Sequence, residues 1–164
     1  MDPTQEQYER AVGDAFIEWY NAQYRTEFKY YGRGADPPDL VYRSGNRKLL
    51  LEITGAYYDT DYATMLWQNA RSVPGAPDIW ISKNPDQKVV GSINAALAKK
   101  CDKHYPVDCV LVVNLEQATT PAEEIEALIA QIKVPAHHTF AEIYLGGIFP
   151  ISSHGGGYHF WRLA

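Results

Sequence analysis

"PPDLVYRSGNRKLLLEIT", from Pro37 to Thr54, decides how the rest of the chain is read. Two runs of strand-forming residues flank Gly45-Asn46, and a Gly-first pair suits the two central positions of a type II′ hairpin turn. Ser44 then pairs with Arg47, and counting outward sets Asp39 opposite Glu52. Directly opposed side chains have β-carbons about 4.5–5.5 Å apart, where like charges are destabilising. The two acids are therefore either solvated charges at strand ends or a pair that needs a cation. The same register gathers Leu40, Tyr42, Leu49, Leu51 and Ile53 on one face, ready to pack on a helix, and leaves Asp39, Arg43, Lys48, Glu52 and Thr54 on the other. A three-residue loop, Ser44 to Asn46, would set Asp39 against Leu51 and turn Glu52 away, spoiling both faces.

Working outward, the N-terminal segment predicts a helix from about Pro3 to Gln23. Tyr8, Val12, Phe16, Trp19, Tyr20 and Gln23 recur at helical spacing, and Glu9 falls on the same face, close to the direction of Phe16. "TEFKYY" alternates as a short strand and "GRGADPP" breaks it, so three antiparallel strands form a meander. The stretch "GAYYDTDYATMLWQNARSVPGAP" reads as a connection with one short helix, and "DIWIS" as a short strand. A second helix is expected from the cap Asn84 and Pro85 to about His104, burying Val89, Val90, Ile93, Ala96, Leu97 and Cys101 and leaving Lys99 and Lys103 outside. "VDCVLVVNL" is nearly all apolar, as a central parallel strand covered on both faces must be. "TPAEEIEALIAQIK" carries capping-box spacing at Thr120 and Glu123. "AEIYLGGIFPI" and "YHFWRL" supply two strands around "SSHGGG". The expected fold is one α/β domain over residues 1–164 with a mixed sheet.

Composition bounds the function. The 164 residues, 46% hydrophobic and 13% aromatic, supply a sizeable core for one domain. No stretch approaches the roughly 20 apolar residues of a membrane span, and "MDPTQEQYER" lacks a basic start and an apolar signal core, so a cytoplasmic protein without a membrane partner is expected. The net charge of -5 runs against broad phosphate attraction while leaving room for a local basic groove. Cys101 and Cys109, the two cysteines, read as small core residues and have no zinc spacing.

The acid pair with the backbone carbonyl of Ile53 offers the hard oxygen ligands that Mg²⁺ or Mn²⁺ selects, and Glu9 would add a third carboxylate if the first helix packs over that edge of the sheet. A metal there would lower the pKa of its bound water and stabilise charge on a phosphate, as phosphodiester hydrolysis requires.

Pro38-Asp39, twelve intervening residues and then Glu52-Ile53-Thr54 resemble the signature of the PD-(D/E)XK nuclease superfamily. The order of elements over roughly residues 3 to 115 is similar to that family's restriction endonuclease-like α-β-β-β-α-β core, here followed by a C-terminal helix and a β-hairpin. The resemblance implies that Asp39 and Glu52 bind the divalent metal and that Glu9 is the additional carboxylate many members carry. Thr54 departs from it, because the family usually has a lysine there to position the attacking water; Thr holds a water but supplies no charge. Lys29, on the neighbouring strand, is the first candidate to replace that lysine, whereas Lys48 lies about 13 Å along the strand from Glu52. The expectation is a metal-dependent nuclease acting on nucleic acid, DNA ahead of RNA, with Lys29 or Thr54 orienting water. A homodimer is the expected assembly if both strands of a duplex are cut. The alternative is a protein of this fold that has lost catalysis and binds protein or nucleic acid.

Other features have plainer readings. His137, His138, His154 and His159 lack cysteine partners or helical spacing for zinc, and "HGGG" has no Gly-x-Ser-x-Gly turn to serve. Pro77-Asp78 repeats the "PD" pair with no Glu-x-Lys-like segment following within hairpin reach, and reads as a loop entering a strand. The 12 tyrosines suit stacking on unpaired bases or an aromatic rim.

Overall fold

The computed structural model describes residues 2–57, 69, 71–72, 74–75, 85–116, 122–149 and 157–164. The elements run α1 (Pro3–Tyr24), β1 (Lys29–Arg33), β2 (Leu40–Ser44), β3 (Arg47–Ala56), α2 (Pro85–Cys101), β4 (Cys109–Leu115), α3 (Ala122–Leu128), a 3₁₀ turn (Ile129–Gln131), β5 (Glu142–Phe149) and β6 (Gly157–Arg162). The six strands form one mixed sheet in the order β1-β2-β3-β4-β5-β6. β3, β4 and β5 are mutually parallel, while β1-β2, β2-β3 and β5-β6 are antiparallel. The short helix and strand expected between Gly55 and Ser82, the Asn84 cap, the Thr120 cap, and most of "SSHGGG" with His154 lie outside the described residues.

The hairpin register is the one its turn demands: Ser44 pairs with Arg47 and Leu40 with Leu51. Gly45 takes φ 58° at the first turn position, a conformation open to glycine at little cost. Leu40, Tyr42, Leu49, Leu51 and Ile53 are buried together with Val12, Phe16 and Ile17 of α1. Each such side chain contributes roughly 1.5–3 kcal/mol on leaving water. α2 and α3 cover the opposite face, where Val89, Ile93, Leu97 and Cys101 pack against Cys109, Leu111 and Val113. All seven residues of β4 are buried, which follows from its place between two parallel neighbours and two helical layers. Both cysteines are free and buried.

Both boundaries of β1 differ from the sequence reading. β1 begins at Lys29 because Asn21 holds the preceding segment: its side chain donates to the Phe28 carbonyl and accepts from the Phe28 N–H, each at 2.9 Å, and also accepts the Thr26 hydroxyl. Those groups are thereby satisfied by a helix side chain rather than by the ladder. β1 then continues through Gly32, where the register shifts between Tyr30 and Gly32, and Arg33 pairs beside Leu40. The expected break is instead a bulge, which aims Arg33 at α1.

The buried face of α1 is centred on Glu9, Val12, Gly13, Phe16 and Ile17, with Trp19 and Tyr20 half-buried at its border and Gln23 exposed. Gly13 sets the distance between helix and sheet, because a β-carbon there would run into Leu40 Cδ1 and Tyr42 Oη. Among the described residues no helix is long and apolar enough to cross a membrane.

Candidate functional site

Asp39 stands one step beyond the last pair of the hairpin ladder and therefore opposite Glu52, as the register requires. Both acids are buried, at 6% and 4% exposure. Asp39 Oδ2 accepts the Ile53 N–H at 2.8 Å, so the carboxylate caps the edge of β3 just before β2 begins. In a strand the N–H and C=O of one residue leave toward the same edge, and the Ile53 carbonyl consequently opens on the side where Asp39 sits.

Glu52 lies on the α2 face of the sheet. Its Oε1 receives Lys100 Nζ at 2.6 Å, from the last turn of α2. Its Oε2 is buried and has no hydrogen-bond partner among the described residues. Burial drives the Lys100 pKa down, but the hydrogen bond and charge of Glu52 outweigh it, so the ammonium is held more firmly than usual.

Glu9 approaches from the α1 side and is 3% exposed. Gln5 donates to its Oε1 at 2.9 Å and Arg33 Nη1 to its Oε2 at 3.0 Å, so its place on an apolar face is explained by a paired cation. Arg33 reaches it only because of the bulge in β1. Behind Glu9, Asn114 Nδ2 donates to the Tyr8 hydroxyl at 3.1 Å and to Glu116, tying the first turns of α1 to the end of β4.

Charge in this cluster is unequal. Glu9 has Arg33 and Glu52 has Lys100, while among the described residues Asp39, the third acid, is hydrogen-bonded by a backbone N–H and feels Lys100 through its charge alone. Burial first, and then the charges of Glu52 and Glu9, push its carboxyl up to about 7 against the lowering effects of the Ile53 N–H and Lys100. With Asp39 ionised, three acids face two cations, a net charge of one unit negative in a buried setting.

The expected site residues divide. Asp39 and Glu52 come together beside Ile53, Glu9 acts on Asp39 through its charge from the opposite, α1 side and does not join them in a three-acid group, and Thr54 sits half-buried two residues from Glu52 on the same face of β3. Lys29 does not converge: it pairs with Arg43, which pairs with Lys48, so it lies at the turn end of the hairpin and is exposed. The roughly 13 Å along the strand that sets Lys48 aside sets Lys29 aside too. The lysine beside the acid pair is Lys100, which the sequence reading passed over. A signal was available, since Lys100 follows Leu97 by three and Ala96 by four and so borders the buried stripe of α2. Arg33 was missed because Gly32 read as a chain break.

Among the described residues no group of three or more His, Cys, Asp or Glu side chains stands in an arrangement that would hold a metal ion. A two-carboxylate site still suits Mg²⁺, which commonly takes one or two carboxylates and fills its octahedron with waters and substrate oxygens. Comparisons with protein-family models, with curated proteins and with solved structures gave no match.

Proposed function

We propose that the chain is a Mg²⁺- or Mn²⁺-dependent nuclease of the PD-(D/E)XK kind with a restriction endonuclease-like core, in which Lys100 takes the place of the motif lysine that Thr54 lacks. The observation that carries this reading is an acid pair with one cation between two carboxylates: among the described residues Asp39 has no ion-pair partner and Glu52 has one buried oxygen free of partners. Asp39, Glu52 and the Ile53 carbonyl would hold the ion, with Glu9 behind them. The ion, when bound, supplies a water of lowered pKa and stabilisation for charge developing on phosphate.

The charge balance favours a phosphodiester. A divalent ion turns the one-unit negative cluster of ionised Asp39, Glu9, Glu52, Arg33 and Lys100 into one unit positive, which a singly charged phosphodiester neutralises. Glu52 fixes the Lys100 ammonium through the 2.6 Å bond, so the cation is placed without mobility to aid the attacking water and the phosphate oxygens. The Thr54 hydroxyl, on the same face, can accept and donate to that water.

A second reading, a nuclease-like fold that has lost catalysis and serves as a binding module, draws on the direct Lys100–Glu52 pair, which neutralises Glu52 without a metal. The two readings separate in one assay. Labelled DNA and RNA, each offered with Mg²⁺ or Mn²⁺, should be cut by the wild type, with activity falling at least about a hundredfold in Asp39→Ala, Glu52→Ala and Lys100→Ala. Lys29→Ala should cut like the wild type. No metal-dependent cleavage of either nucleic acid, or equal cleavage by the Asp39 and Glu52 variants, would leave the binding module standing.

A further inference from the structure

A groove of about 460 Å³ runs between the first turns of α1 and the end of β1, lined among others by Pro3, Gln7, Arg10, Tyr30 and Arg33. Its size falls within the range of small-ligand sites. Its lining includes Leu40, the residue after Asp39, and Arg33, whose guanidinium holds Glu9, so it adjoins the acid cluster.

The wall of the groove is a planar stack. Arg10 Cζ lies 3.4 Å above the centre of the Tyr30 ring. Asp14 takes Arg10 Nε at 2.7 Å and fixes the plane of the guanidinium. Tyr30 in turn stands edge-on to the buried Tyr42, with ring centres 5.7 Å apart. The Arg10 side chain remains 41% exposed, which leaves part of this stack open to the groove.

The cations along the groove are already paired, Arg10 with Asp14 and Arg33 with Glu9, and Glu6 adds a further acid to the lining. Among these lining residues no cation is left over to attract a phosphate. What the groove offers is a flat, polarisable surface with the Glu6 carboxylate and the Gln7 amide at its border, which suits an uncharged planar heterocycle with hydrogen-bonding edges. Inside a duplex both faces of a base are covered by its neighbours, whereas an unpaired base has a face to give.

We propose that this groove seats one unpaired nucleobase, flanking the nucleotide whose phosphate meets Asp39 and Glu52, and that the substrate is therefore single-stranded. The proposal rests on the nuclease reading and names its substrate class.

The test is fluorescence anisotropy of the full chain with Ca²⁺ in place of Mg²⁺, each probe shown by gel to be uncut, using labelled single-stranded DNA, single-stranded RNA and blunt duplex DNA of equal length. The wild type should prefer a single strand to the duplex. Arg10→Ala and Tyr30→Ala should each weaken single-strand binding by on the order of tenfold while leaving duplex binding unchanged. Arg10→Lys, which keeps charge but not the plane, should lose most of the same factor, and a strand made abasic throughout should lose it with the wild type. Absence of any single-strand preference, unchanged binding by the variants, or equal loss on duplex and single strand would overturn the proposal. Metal binding by Asp39 and Glu52 is measured separately, so failure of the groove and failure of the metal site are told apart.

Discussion

Asp39 is the residue on which most depends, because it is an acid buried beside two other acids with no ion-pair partner among the described residues. Its carboxyl is raised from the usual 3.8 to about 7, so the folded state binds the proton more tightly than the unfolded chain does. The stabilisation is complete below the unfolded value and is lost as pH rises through the folded one. In metal-free buffer the melting temperature should therefore fall between about pH 4 and pH 7, and calorimetry of Asp39→Asn should show this part of the fall removed, with the same or a higher melting temperature at neutral pH. A large loss of stability in Asp39→Asn would instead make the Ile53 hydrogen bond the main purpose of this side chain. Lys100 behaves in the opposite way. Lys100→Met leaves Glu52 buried and unpaired, and chemical denaturation should register a loss of about 3 kcal/mol that Glu52→Gln in the same chain largely restores. No such coupling is expected between Lys29 and Glu52.

At the level of elements, the bend at Gly45-Asn46 was readable, and with it came the apolar face of the hairpin and the opposition of Asp39 and Glu52. Those follow from the period of two in a strand, which needs no knowledge of the rest of the chain. Lys100 was harder to find, because its partner comes from another element. Placing it requires both the rotational phase of α2 and the knowledge that α2 covers the Glu52 face, and a residue bordering a buried stripe looks like any solvated lysine in sequence. β1 was displaced for a similar reason, since Asn21 captures the backbone at Phe28 from a distant helix turn. Gly13 was invisible to a search for apolar periodicity, yet it governs how closely α1 meets β2. Gly13→Val should cost about 1–3 kcal/mol by overpacking against Leu40 and Tyr42, read from the denaturation midpoint. Because α1 also carries Glu9, cleavage should decline in the same variant while the secondary structure seen by circular dichroism is kept.

Across the molecule, one sheet with α1 on one face and α2 and α3 on the other brings together groups from four elements: Glu9 from α1, Arg33 from β1, Glu52 from β3 and Lys100 from α2, with Asp39 at the entry to β2. The parallel centre, the antiparallel hairpins and the free buried cysteines were legible in composition and pattern, while the stretch from 58 to 84 lies for the most part outside the described residues. The mild acidity of the chain fits the proposed site, whose attraction for phosphate would come from a bound ion rather than from a broad basic surface. The most direct measurement is the anomalous signal of manganese in crystals soaked with Mn²⁺ at millimolar concentration. The expected result is one ion about 2.0–2.2 Å from oxygens of Asp39 and Glu52 and from the Ile53 carbonyl, absent from crystals of Asp39→Ala. Wild-type crystals with no ion between these two acids would contradict the metal site.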